Sequence, residues 1–325
     1  MTLSNASTGL VALLEAMRPR HWVKNVFVMA PLIFARRFDS PQAWALAALA
    51  FAVFCLLSSA VYLVNDMCDR RGDQAHPDKR NRPIASGRLS TPLAAMAATA
   101  LVAAAGALAA VVCVNPMGES LATARLFVLW AGVYLLEGLF YSLAFKRVAI
   151  LDVIIIAFGF VLRAMAGAAA IGVPTSPWLV LCTFTLCLYV ALSKRRGEIE
   201  QLGEDISARA RSTNRSYDRT ELDRMLTVSV GLAIMSYCLY CLSPRTVEAF
   251  GSANMIWTAP LVIYGMFRYD RVSRRRGRGD VVSVLMCDRT MWLVLLAYVL
   301  LAGAIIRYGA QPPLQNLLDV YAPKS

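Results

Sequence analysis

Nine stretches of this 325-residue chain are apolar enough to cross, or nearly cross, a layer of hydrocarbon. They run over about 22–37, 43–64, 93–114, 124–144, 149–171, 176–193, 225–243, 254–270 and 289–307. A spanning helix needs about 20 mostly apolar residues, and the first stretch, bounded by Arg36 and Arg37, is the shortest. Composition agrees, with 58% hydrophobic and 17% charged residues against about 45–50% and 25% in soluble domains. So much apolar surface rules out a water-soluble globule and a disordered chain alike. The sequence predicts an all-α, polytopic membrane protein of about nine transmembrane helices, a single transmembrane domain over residues 1–325.

The net charge of +12 admits nucleic acid, acidic lipid or an anionic substrate as its reason. The basic residues here interrupt long apolar runs instead of covering an exposed face, so membrane lipid is an expected partner and nucleic acid is not. With nine spans, 26 of the 33 Lys and Arg fall on the side that holds the N-terminus and the loops near 65–92, 145–148, 194–224 and 268–289. That side is the expected cytoplasmic one, with the C-terminus opposite, in a cell inner (plasma) membrane. No cleavable leader is expected. Six of the eight cysteines lie in apolar runs, and the C-x-x-C of Cys238 and Cys241 has no second pair to make a metal site.

The chemistry concentrates after the second stretch, in Asn65-Asp66-Met-Cys-Asp69-Arg70-Arg71-Gly72-Asp73. On a continuing helix the three aspartates share one face. Their mutual repulsion is relieved by a divalent cation, and oxygen-only ligands favour Mg2+. Lys79, Arg80 and Arg82 follow in His76-Pro-Asp-Lys-Arg-Asn-Arg-Pro-Ile-Ala-Ser-Gly87. Their donors suit phosphate oxygens, Arg as a bidentate fork. Carboxylates for a metal beside bases for phosphate describe a diphosphate site. His76 reads as a structural hydrogen-bonder, since a phosphate acceptor needs no base at pH 7.

Other groups gather at the same expected face: Tyr141 and Lys146 after the fourth stretch, then Asp152. Arg163 is set deeper, where a charge needs an acidic partner or an anionic ligand; Glu137, the other charge at membrane depth, is a candidate partner. Lys194, Arg195 and Arg268 either line a cavity or anchor helices at the headgroups.

The Asn65-Asp66-x-x-Asp69-x-x-x-Asp73 pattern resembles the first acidic motif of the UbiA superfamily of intramembrane prenyltransferases. The resemblance runs over nearly the whole chain, from Arg18-Pro-Arg-His-Trp-Val-Lys-Asn25 to the ninth stretch. More narrowly, the chain is similar to the branch that takes phosphoribosyl pyrophosphate as donor and decaprenyl phosphate as acceptor. Tyr141-Ser142-x-x-x-Lys146, Gly159-Phe160-Val161-x-Arg163 and Lys194-Arg195-Arg196-x-Glu198 carry that narrower likeness. Other members use a second cluster of two or three aspartates, where this chain offers Asp152 alone among Lys146, Arg147 and Arg163.

The resemblance implies a bundle with a central cavity open to the cytoplasm and a Mg2+-dependent glycosyl transfer. Phosphoribosyl would pass from its pyrophosphate to a polyprenyl phosphate, supplying a precursor of cell-wall arabinan. It implies Asp66, Asp69 and Asp73 as catalytic metal ligands assisted by Asn65, Lys79 and Arg82 on the donor phosphates, and Lys24, Lys146 and Arg163 on the acceptor phosphate. Tyr141, Asp152, Lys194, Arg195 and Arg268 complete the expected substrate-binding set. An aromatic prenyltransferase with a prenyl diphosphate donor is the alternative within the fold, and a lipid transporter or flippase is the alternative outside it. The sequence leaves a homo-oligomer open.

Overall fold

The computed structural model describes residues 3–37, 39–75, 79–114, 121–210, 217–276, 284, 288–309 and 311. Every regular element among them is helical. The chain forms two compact units, Met1–Ser176 with Ala208–Thr213, and Pro177–Ser207 with Asn214–Ser325.

The first unit starts with α1 (Leu3–Met17), whose Ala12 and Ala16 are buried while Leu10, Val11 and Leu14 are exposed. A 3₁₀ segment, Pro19–Met29, and the short α2 (Ala30–Phe34) follow. The long helices are α3 (Pro41–Ala75), α4 (Thr91–Val114), α5 (Leu121–Leu143) and α6 (Leu151–Ala170). The alanine-rich sequence of α4 has high intrinsic helix propensity. Helix α3 packs against α4 and α5, α5 packs against α6, and the 3₁₀ segment lies along both α3 and α6. Phe54, Leu57, Phe127, Tyr134 and Leu162 join one buried cluster between these helices. Helix α6 is followed by a turn at Gly172, whose φ of +66° suits a residue without a β-carbon.

The second unit contains α7 (Pro177–Ala210), α8 (Arg219–Leu242), α9 (Pro244–Phe250), α10 (Ala259–Arg276) and α11 (Arg289–Tyr308). Asp218 caps α8 by accepting from the N–H groups of Thr220 and Glu221, and Asp288 caps α11 by accepting from Met291. At the other end of the unit Tyr237 bonds Thr258 at 2.5 Å and Tyr298 at 3.1 Å.

Seven helices among the described residues are long and apolar enough to cross a membrane, which makes the chain a multi-pass membrane protein. Two of the nine expected spans are built differently. The stretch 22–37 is a 3₁₀ run, opened by Pro19, followed by five residues of α-helix with Pro31 in their first turn, and its polar groups turn inward. Trp22 Nε1 donates to Ser59 Oγ at 3.1 Å, and Asn25 Nδ2 donates to Ser58 Oγ at 3.2 Å. The stretch 254–270 begins with a 3₁₀ turn, Asn254–Thr258, and continues as α10, whose second half carries Arg268, Asp270, Arg271 and Arg274. Hydropathy alone does not distinguish such segments from a spanning helix.

Candidate active site

Helix α3 does not stop at the end of its apolar stretch but runs on to Ala75, so Asp66, Asp69 and Asp73 occupy one continuous helix. Asp66 and Asp73 are buried, and Asp69 is half-buried. Each carboxylate faces a cation. Arg18 Nη2 donates to Asp66 Oδ1 at 2.5 Å. Arg82 Nη1 bridges two carboxylates, reaching Asp73 Oδ2 at 2.7 Å and Asp66 Oδ1 at 3.3 Å. Lys146 Nζ donates to Asp69 Oδ1 at 2.5 Å and to the Asn65 carboxamide oxygen at 3.2 Å, while Asn65 Nδ2 donates to Asp69 Oδ2 at 3.2 Å.

Local sequence explains the register. Arg82 is delivered by the 3₁₀ turn Lys79–Asn81 and the turn after it, where Ser86 N–H donates to Arg82 C=O and Leu89 N–H donates to Pro83 C=O. Gly87 carries φ +80° in that turn, and Gln74 Nε2 donates to Ala85 C=O at 3.1 Å, tying the turn to α3. Lys146 sits on the 3₁₀ turn Phe145–Arg147 between α5 and α6.

Six expected residues therefore meet in one cluster: Asn65, Asp66, Asp69, Asp73, Arg82 and Lys146. Arg18 joins them and was outside the expected set, since 48 residues separate it from Asp66. Lys24, Lys79 and Tyr141 are half-buried in the same unit, and Asp152 is fully buried at the start of α6. His76 lies outside the described residues.

Arg163 belongs to a second network, deeper in the unit. Its Nε donates to Asn25 Oδ1, its Nη1 to Gly159 C=O and its Nη2 to Tyr134 OH, each at 2.8 Å. The guanidinium also stacks over the Tyr134 ring, 4.5 Å from its centroid. Glu137 is near, its carboxyl held against Gly159, where a β-carbon would stand 3.0 Å from either oxygen.

Lys194, Arg195 and Arg268 are in the second unit. Arg195 is buried and pairs with Glu198 at 2.7 Å. Arg268 pairs with Asp288 at 2.9 Å. Burial pushes the Asp288 carboxyl up, but Arg268 and the N–H of Met291 outweigh it and hold the group below its ordinary range. The next residue, Arg196, is 2% exposed and lies among Asp223, Asp270 and Glu200 at 3.2–3.5 Å.

Hard carboxylate and carboxamide oxygens on one helix face are the donor type that Mg2+ takes. As they stand, the carboxylates are turned to Arg18, Arg82 and Lys146, and among the described residues no three acidic, His or Cys side chains converge on a cation position. The donor chemistry fits a hard divalent cation, and the resident cations occupy its place.

Residues 26–294 match the model of the UbiA prenyltransferase family. The chain is 31% identical over 315 residues to the decaprenyl-phosphate phosphoribosyltransferase of Mycolicibacterium smegmatis, covering 94% of each. It is 34% identical over 299 residues to the protein of the same name from Corynebacterium glutamicum, covering 91% of this chain and 86% of that one. A UbiA homolog from Archaeoglobus fulgidus, solved bound to DMAPP and Mg2+, shares the fold at a TM-score of 0.64 and 18% identity over 91% of this chain and 99% of its own. This helical, multi-pass membrane protein thus belongs to the UbiA prenyltransferase family.

Proposed function

We propose that the protein transfers 5-phosphoribosyl from phosphoribosyl pyrophosphate to a polyprenyl phosphate of the decaprenyl type, releasing pyrophosphate. The observation that carries this reading is the interleaving at α3, where three carboxylates suited to a metal and three cations suited to phosphate share one cluster. The names of the relatives from Mycolicibacterium and Corynebacterium support the choice of donor and acceptor.

Asp66, Asp69 and Asp73, with the Asn65 carboxamide, hold Mg2+ in this reading. When bound, that ion neutralises the charge growing on the departing pyrophosphate. Arg82 and Lys79 grip the donor phosphates. Lys146 and Lys24 orient the acceptor phosphate, one oxygen of which bonds to ribose C1 as the C1–O bond to pyrophosphate breaks and its electron pair leaves with pyrophosphate. Carboxylates beside the ring stabilise the positive charge that develops on it. The work is positioning and electrostatics, with no covalent intermediate on the protein. Arg163, with its donors already engaged, acts by fixing Asn25 and the segment that carries Lys24.

The proposal takes residues 1–325 as one transmembrane domain in the plasma membrane, with the site and the N-terminus facing the cytoplasm, where the soluble anionic donor is. The distribution of 26 of the 33 basic residues supports that orientation. The product serves as a lipid-linked pentose for cell-wall arabinan.

The test is a purified preparation supplied with Mg2+, phosphoribosyl pyrophosphate and decaprenyl phosphate. The expected result is stoichiometric pyrophosphate release and a lipid whose mass has risen by one phosphoribosyl group. A preparation that ignores this pair yet prenylates an aromatic acid from a prenyl diphosphate overturns the proposal.

A further inference from the structure

Arg18 stands between α1 and the 3₁₀ segment with φ 54° and ψ 60°, a left-handed conformation that few residues other than glycine adopt. The backbone is pinned on both sides of it. Ser59 Oγ donates to Met17 C=O at 3.2 Å, and His21 N–H donates to Arg18 C=O at 2.8 Å. The neighbouring helix is docked through Ala12 and Ala16 against Ala60 and Leu63, and Glu15 accepts from both Nη atoms of Arg88. Arg18 is thus aimed at Asp66 by an arrangement that tolerates an unfavourable backbone to keep it there.

Each carboxylate of the cluster has a cation against it. Asp66, Asp69 and Asp73 are matched by Arg18, Arg82 and Lys146, one cation for each carboxylate. Adding a divalent cation where each carboxylate already has a cation against it is unfavourable unless a resident cation withdraws. Arg18 is able to withdraw: its side chain is 20% exposed where that of Asp66 is 2% exposed, and its guanidinium already leans on Tyr62, 5.0 Å from the ring centroid. A planar fork freed from a carboxylate matches phosphate oxygens equally well.

We propose that Arg18 is an exchanging counter-ion: it neutralises Asp66 while the metal is absent, and passes to the diphosphate when metal and diphosphate arrive together. The inference rests on the metal-dependent donor site proposed above and deepens it. It makes the site favour the metal–diphosphate pair over the bare metal.

The test uses the full-length protein in detergent and two probes, neither of which depends on turnover. Mn2+ binding without phosphate is followed by electron paramagnetic resonance, and inorganic pyrophosphate binding at saturating Mn2+ by calorimetry. In Arg18→Gln the bare Mn2+ is expected to bind about tenfold more tightly, and pyrophosphate about tenfold more weakly. A residue that only supports the fold would weaken both, and a residue that only contacts phosphate would leave Mn2+ unchanged; either pattern overturns the exchange. Arg18→Lys, which keeps the charge and loses the fork, is expected to hold Mn2+ as the unaltered protein does and pyrophosphate several-fold less tightly. Tighter Mn2+ binding in Arg18→Lys also overturns it. If the unaltered protein binds no Mn2+ even with saturating pyrophosphate present, the donor-site reading itself fails.

Discussion

Arg163 and Asn25, 138 residues apart, are joined by a 2.8 Å hydrogen bond from the guanidinium Nε to the carboxamide oxygen. Both side chains are buried, and the bond ties α6 to the 3₁₀ segment. Removing one partner of a buried charged hydrogen bond leaves the other unsatisfied. Asn25→Leu is expected to destabilise the protein by about 2–3 kcal/mol, and Arg163→Met by at least as much. The double variant should recover part of the loss, because no buried charge is then stranded. Thermal melting of the four proteins measures the coupling; strictly additive losses would show that the pair is not a unit.

Gly167 on α6 lies so close to the Val28 carbonyl that a β-carbon has no room. Since the obstacle is backbone, the helix or the 3₁₀ segment has to move. Gly167→Ala is expected to cost about 1–3 kcal/mol. Gly106, on α4, has nothing within 4 Å of a built β-carbon, and Gly106→Ala should be neutral or stabilising by up to about 1 kcal/mol. Equal melting temperatures for the two variants would contradict the close approach.

Asp66→Ala removes the most buried carboxylate of the cluster and leaves Arg18 and Arg82 without that partner. Transfer activity is expected to fall by about a hundredfold or more. Excess Mg2+ should not restore it, whereas Asp69→Glu, with the charge retained, should respond to raised Mg2+. Activity that survives Asp66→Ala removes the metal assignment.

Lys146 holds Asp69 and Asn65 from the turn before α6. Lys146→Gln is expected to raise KM for the polyprenyl phosphate by about tenfold, the loss of one charge-assisted bond, with a smaller change for the donor. Steady-state kinetics with each substrate varied in turn decides the matter, and a rise confined to the donor reassigns Lys146 to the donor phosphates.

The cap on α11 predicts a pH dependence. The Asp288 carboxyl is held below its ordinary range in the folded protein. Its contribution to stability is therefore present above the unfolded carboxylate pKa and is lost as pH falls through the folded value. Asp288→Asn should melt at a lower temperature than the unaltered protein at pH 7, and the gap should close as pH drops below about 4. A gap that stays constant with pH would mean that the cap works without its charge.

The three aspartates were legible in the sequence because helical spacing is a local property, and α3 keeps its register through Asp73. Arg82 follows Asp73 by nine residues and Lys146 shares the same expected face, so both read as lying beside the aspartates, although no local rule brings Lys146 into contact with Asp69, 77 residues away. Arg18 escaped because it precedes the motif by 48 residues and reads as an orientation charge. Arg163 was legible as a buried cation in need of a partner, but Asn25 and Tyr134 supply its bonds where Glu137 was the candidate. The stretch 22–37 shows the limit of hydropathy, which sees apolar side chains but neither the 3₁₀ form nor the hydrogen bonds of Trp22 and Asn25 that turn its polar groups inward.

Helix α3 has 35 residues, an axial length of about 52 Å at 1.5 Å per residue, against about 30 Å of hydrocarbon. Asp66 stands about 38 Å along that axis from Pro41 and Asp73 about 48 Å, so this helix works as a mast. Set in a bilayer, its length carries these aspartates past the hydrocarbon, to where the sugar diphosphate of the proposed reaction stays hydrated. The isoprenoid tail need never leave the oil for its head to react.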